Sequence, residues 1–150
     1  MSGGHEPWMA VALEQARRAD ALDEVPVGAA LVGPDGLVTA RHNETRTLSD
    51  PTAHAEMLAI RDAAATLGDW RLVDHALYVT LEPCAMCAGA IVLARVPRLV
   101  YAAADPKAGM CGSLGNLVQD PRLNHRVEIT SGVLEQESAD LLRDFFRMRR

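Results

Sequence analysis

Cysteine is scarce in this chain of 150 residues, with three in all, and no stretch of apolar residues runs long. Three cysteines are too few for a disulfide framework and suit a reducing compartment. No run approaches the ~18 apolar residues that a membrane-spanning helix needs. The N-terminal MSGGHEPWM has neither the basic start nor the apolar core of a secretory signal, so a cytoplasmic protein without a membrane segment is expected. Positive charge is short as well. Against 20 Asp and Glu stand 15 Lys and Arg, a net charge of −5. That is the wrong sign for a protein that grips nucleic acid over its whole surface, because affinity for phosphates comes from Lys and Arg; any such binding must be local. Internal repeats, low-complexity tracts and linkers are absent too. A chain of this length, 49% apolar, reads as one domain over residues 1–150, able to bury roughly 68–70% of its unfolded surface.

What is present is an alternation of helical and extended patterns. Pro7 to Leu22 carries Met9, Leu13 and Ala16 on one helical stripe. VPVGAALV and LVTA, on either side of GPDG, read as two strands joined by a turn. Met57, Ile60, Ala64 and Leu67 mark a helix over residues 53–67, with Pro51 and Thr52 as its start signal. ALYVTL at 76–81 is a short buried strand, Pro83 opens a helix through Arg95, and residues 98–102 form a fourth strand. A polar, Gly-rich loop follows from Ala104 to Asn116, then RVEIT at 126–130 as a last strand and a closing helix from Glu135 to Arg149. About five strands alternating with helices imply an α/β fold, a three-layer α/β/α sandwich with a central mixed sheet whose first two strands are antiparallel.

Two short strings carry the chemistry: HAE at 54–56 and PCAMC at 83–87. They supply one imidazole, two thiols and a carboxylate. Three protein ligands leave zinc one free position, the arrangement of a catalytic site, whereas a structural site closes the tetrahedron with a fourth side chain. His54, Cys84 and Cys87 are therefore read as zinc ligands and Glu56 as the group that moves protons to and from a water there. In an ideal helix residues two apart point about 200° from each other, so Glu56 is kept out of the ligand set. The ligands fall in the first turns of two helices, whose N-terminal partial charges favour thiolates. A Cys-X-X-Cys pair at a helix start also describes a redox dithiol. The same pair and His54 could also close a structural zinc site with Cys111, His42, His75 or His125. A His, a Glu two residues on and a Pro-led Cys-X-X-Cys in this order is the zinc-deaminase signature. Cys111 is left as a free thiol.

Beyond these strings, EVPVGA at 24–29, DPTAHAE at 50–56, LYVTLEPCAMCAGA at 77–90, NHRVEIT at 124–130 and DFFRMRR at 144–150 make the chain resemble the bacterial tRNA-specific adenosine deaminases. The resemblance implies a cytidine-deaminase-like fold, one zinc ion per chain, a homodimer, and hydrolysis of adenosine to inosine at the wobble position of a tRNA anticodon, with tRNA arginine the expected partner. His54, Cys84 and Cys87 match the family's zinc ligands and Glu56 its proton shuttle. The zinc strings are shared with deaminases of free bases, nucleosides and nucleotides, acting on guanine, cytosine or deoxycytidylate, which stand as the alternative. Asn43 matches a family asparagine that touches the flipped base, set against an Asn that holds its own loop by an Asx turn. Asp105 and Lys107 match an RNA-contacting loop, where an acceptor facing a ribose 2′-hydroxyl would tell RNA from DNA; the plain alternative is a loop cap. Asn124 and Arg126 flank the last strand as further RNA contacts. Arg143, Arg147 and Arg150 share one helical stripe, suited to phosphates unless they merely pair with Asp140 and Asp144.

Overall fold

The structure, a computed structural model, describes residues 2–149. Five strands, β1 (Gly28–Gly33), β2 (Gly36–His42), β3 (Ala76–Leu81), β4 (Arg98–Ala103) and β5 (Glu128–Ser131), form one sheet in the order β2-β1-β3-β4-β5. Four helices, α1 (Ser2–Ala21), α2 (Ala55–Leu67), α3 (Ala85–Leu93) and α4 (Glu135–Met148), cover its two faces. β1 is antiparallel to β2 and to β3, while β3, β4 and β5 are parallel. All strands but β1 therefore run the same way. The carboxyl ends of β2, β3 and β4 lie along one edge of the sheet, which is where ligands bind in open sheets of this kind.

The strands alternate between two cores. Ala29 and Leu31, Leu77 and Val79, Leu99 and Tyr101 point to one side, packed with Ala59, Ala63, Ala88 and Ile91 of α2 and α3. Ala30, Tyr78, Val100 and Ala102 point to the other, packed with Met9 and Ala12 of α1 and with Val133. Both faces are buried, which is why β3 and β4 read as continuous apolar runs. α1 lies directly on β1 at Gly28, where a Cβ would overlap the backbone of Ala12 and Ala16; the VPVGA string thus has a packing reason. The α/β/α expectation holds.

Element boundaries differ from the pattern in instructive ways. α1 begins at Ser2 rather than Pro7, because a proline within the first turns forfeits only one hydrogen bond, to the carbonyl of residue 3. β1 begins at Gly28, since Pro26 lacks a donor and Val27 bonds back to Val25. α2 and α3 begin at Ala55 and Ala85, not Ala53 and Pro83, so His54 and Cys84 are cap residues with extended backbone, outside the first turn. β5 begins at Glu128 and α4 ends at Met148. A single 3-10 turn, Leu117–Gln119, follows the polar loop.

Candidate active site

His54 caps α2 and Cys84 caps α3, with Cys87 in the first turn of α3. Their side chains meet. His54 Nδ1 lies 3.6 Å from Cys84 Sγ and 3.5 Å from Cys87 Sγ, and the three donor atoms all lie within 4.8 Å of one another. Tetrahedral bonds of about 2.0–2.1 Å to nitrogen and 2.3 Å to sulfur require an N···S separation of about 3.6 Å, so the triangle has the size that one zinc ion needs. The N-termini of two helices converge on it, which spacing alone could not show. The cap placement also means that the directions of His54 and Glu56 are not set by ideal helix geometry. The two differ in place: Glu56 lies one residue inside α2, 4% exposed, against Cys87.

None of the four candidates for a closing ligand joins this group among the described residues. His42 Nδ1 contacts the carbonyl of Asn43, His125 Nε2 contacts the carbonyl of Val96, and His75 is buried at the start of β3. Cys111 is buried too, its thiol pushed up to about 12 by burial and by the negative charge of Glu82. A three-donor set with a carboxylate beside it is the open, catalytic kind of zinc site.

The protonation of the set follows from its contacts. Hydrogen bonds from Cys87 and from His54 hold the Cys84 thiol down to about 3, while the bond to Cys84, burial and the Glu56 carboxylate push Cys87 far above the usual thiol range. A divalent ion held by the three side chains would take both sulfurs as thiolates, since metal ligands bind deprotonated. The contact with Cys84 raises His54, against the opposing effect of burial. Burial pushes Glu56 up to about 7, against the attraction of His54.

The triangle opens into a cleft of about 1100 Å³ whose walls include Asn43, Thr45, Glu82, Asp105, Lys107, Leu142, Arg143, Phe146 and Arg147. Asn43 is neither in an Asx turn nor free. It is buried, and its Oδ1 accepts the N–H of Ala55 at 2.8 Å, supplying the cap that His54 does not. Asp105 faces the cleft while its Oδ1 accepts the amides of Lys107 and Ala108. Lys107, the single lysine of the chain, is exposed beside it. Arg143 lines the cleft and also pairs with Asp140 and Asp144, whereas Arg147 makes no ion pair among the described residues. Asn124 and Arg126 are exposed and lie outside the cleft lining, Arg126 donating to the carbonyl of Pro121. Arg150 lies outside the described residues.

Sequence reasoning missed two buried carboxylates that shape the cleft walls. Glu24 is 0% exposed and Glu82 2%. Each ends up holding a loop, and the available signal was an acidic residue beside an apolar run, in DEVPVG and TLEPC. Phe146, half-exposed at the cleft, was legible only as part of an apolar stripe.

The sequence profile of the MafB19-like deaminases matches residues 4–150. The chain is 51% identical over 144 residues to the tRNA-specific adenosine deaminase of Agrobacterium fabrum, covering 95% of this chain and 94% of that one. It is 49% identical over 142 residues to the enzyme of the same name from Bacillus subtilis, covering 95% and 88%. The chain belongs to the tRNA-specific adenosine deaminase family. A solved tRNA:A34 deaminase superimposes on this deaminase with a TM-score of 0.87 at 47% identity, covering 90% of this chain and 98% of the other. Guanine deaminase from Nitrosomonas europaea superimposes with a TM-score of 0.81 at 28% identity, covering 93% and 83%. The fold is thus the cytidine-deaminase-like one, and the enzyme is a zinc-dependent hydrolytic deaminase whose His54, Cys84 and Cys87 fit one ion.

Proposed function

We propose that this enzyme converts adenosine to inosine at the wobble position of a tRNA anticodon, tRNA arginine in particular, as a cytoplasmic homodimer in which residues 1–150 form one catalytic domain. The observation that carries the reading is the His54, Cys84 and Cys87 triangle with Glu56 buried beside it, at the floor of a cleft of about 1100 Å³. In this reading the three side chains hold zinc, which supplies Lewis acidity and so makes water nucleophilic near neutral pH. Glu56 takes the proton from the attacking water and hands it to the ring nitrogen beside carbon 6; the second proton of that water leaves by the same carboxylate with the amine, as ammonia. Burial pushes the Glu56 carboxyl up while a cation held by the triangle would pull it back down, opposing effects that keep it able both to accept and to give up a proton. Asn43, its Oδ1 committed to Ala55, keeps its amide N–H groups for the purine edge. Asp105 and Lys107 take the ribose and phosphate on one wall and Arg147 the phosphates on the other, with Arg150 and Asn124 as further RNA contacts.

Deamination of a free purine base is the second reading, favoured by the likeness to a guanine deaminase. The cleft argues against it. Its outer walls carry Lys107 on one side and Arg143 and Arg147 on the other, cations that a neutral purine has no use for and a phosphate backbone does. Inosine formed in a tRNA arginine transcript and in its anticodon stem-loop, with no turnover of free adenosine, cytidine or guanine, is the expected outcome. Guanine turnover with an inert stem-loop would reverse the order of the two readings. Light scattering on the eluted protein tests the dimer.

A further inference from the structure

Glu82 stands two residues before Cys84 and is absorbed by neither metal nor proton chemistry, yet it is one of the largest fully buried side chains in the molecule. Its carboxylate gathers four donors from a single loop. Oε1 accepts the amide of Asp105 at 3.0 Å and the hydroxyl of Ser113; Oε2 accepts the amides of Cys111 at 3.0 Å and Ser113 at 2.9 Å. The neighbouring carbonyl of Pro83 takes the amide of Met110 at 2.9 Å. Gly109 makes room for this cluster, since a Cβ there would overlap the Glu82 carboxyl group. These bonds outweigh the cost of burial and hold the group below the usual carboxylate range.

We propose that Glu82 is a positioning residue that locks the loop of residues 104–113 to the metal-bearing turn, so that Asp105 and Lys107 face the substrate at a fixed distance from carbon 6 of the base. The strand end that carries Cys84 carries the clamp two residues earlier, so nucleophile and substrate wall share one rigid origin. Geometry supports a positioning role over a merely cohesive one. Glu82 binds Asp105 near the start of the loop and Cys111 and Ser113 at its far end, leaving Pro106, Lys107 and Ala108 between the anchors as a short bridge along the cavity. The proposal rests on the reading that this loop touches the RNA.

The test uses the zinc-loaded, full-length enzyme with an anticodon stem-loop. In Glu82→Gln one carboxylate oxygen becomes a donor, so at least one backbone amide of the loop loses its acceptor even where the Ser113 hydroxyl turns round to accept. KM for the stem-loop should then rise about tenfold or more, with kcat changed less than about threefold, the pattern of a binding wall that has lost its place while the reacting groups keep theirs; zinc content should stay at one per chain. Amides of residues 105–113 should exchange faster with solvent deuterium. Gly109→Ala, which removes no hydrogen-bonding group, should reproduce both effects by displacing the carboxylate, and should add little in a Glu82→Ala background. Gly109→Ala also serves if the Glu82 variants do not fold. Unchanged loop exchange in both variants would overturn the clamp. A freed loop with an unmoved KM would overturn the positioning role and, with it, the assignment of Asp105 and Lys107 to the substrate. Wild-type enzyme inert on the stem-loop would instead remove the tRNA reading and leave the exchange result to judge the clamp alone.

Discussion

Single side chains decide the chemistry, and their variants separate the roles cleanly. Cys84→Ala and Cys87→Ala each remove one of three donors and should abolish stoichiometric zinc, measured by metal analysis of purified protein. Glu56→Gln should retain zinc and fold and lose turnover by on the order of a hundredfold or more, since only the proton carrier is gone. Activity falling solely in proportion to zinc content would deny Glu56 a separate function. Glu24, like Glu82, is an acid-sensitive point of the scaffold. Burial alone would raise its pKa, but the hydroxyl and amide of Thr47, the amide of Arg46 and the hydroxyl of Thr45 outweigh burial and hold it below the usual carboxylate range. A depressed folded-state pKa stabilises the fold fully above the unfolded value of about 4.3 and is lost as pH falls through the folded value. Glu24→Gln should therefore cost about 1–3 kcal/mol at pH 7, with the gap to wild type narrowing in urea titrations run below pH 4. A gap independent of pH would mean that the four donors do not depend on the charge.

At the scale of elements, the two helix starts are where sequence and structure part company. The strings HAE and PCAMC reveal the donors by residue type and spacing alone, because a metal set is chemically unmistakable. That His54 and Cys84 stand outside their helices was not legible, since both lie beside good helix formers and the cap is supplied from elsewhere. The amide of Ala55 is satisfied by Asn43, twelve residues upstream on another segment, and no local pattern announces a contact of that kind. The loop clamps of Glu24 and Glu82 were hidden for the same reason. Strand β3, whose apolar run is bounded by His75 and Glu82, was legible to the residue. The Asn43 bond yields a test that splits two roles. Asn43→Ala should lose about 1 kcal/mol of stability with its cap and lose turnover as well; Asn43→Asp keeps the acceptor, so it should recover stability but not turnover. Recovery of both by Asp would reduce Asn43 to a cap. On α4, Arg147→Ala should flatten the plot of log stem-loop affinity against log salt by roughly 0.7–0.9. Arg143→Ala should do so less, since Asp140 and Asp144 already neutralise Arg143. Equal slopes for wild type and the double variant would move the phosphate contacts off this helix.

Over the whole molecule, charge and topology share out the work. A net charge of −5 leaves the surface without a general attraction for RNA, and the cleft concentrates basic groups, with Lys107 on one wall and Arg143, Arg147 and Arg149 along the other. Such a distribution favours selective over indiscriminate binding, because phosphates gain only where the cleft is engaged. The far wall is fastened by Arg149, whose guanidinium stacks on Phe145 and binds Asp23, the same carboxylate that holds Arg46. That fastening joins residues 126 positions apart in sequence. During synthesis the metal triangle, drawn from residues 54–87, leaves the ribosome well before the helix that walls the cleft. Since a domain folds as a unit, the triangle takes its geometry only with the whole sheet that positions it, and the contact of Arg149 with Asp23 closes only after every metal-facing residue has already emerged.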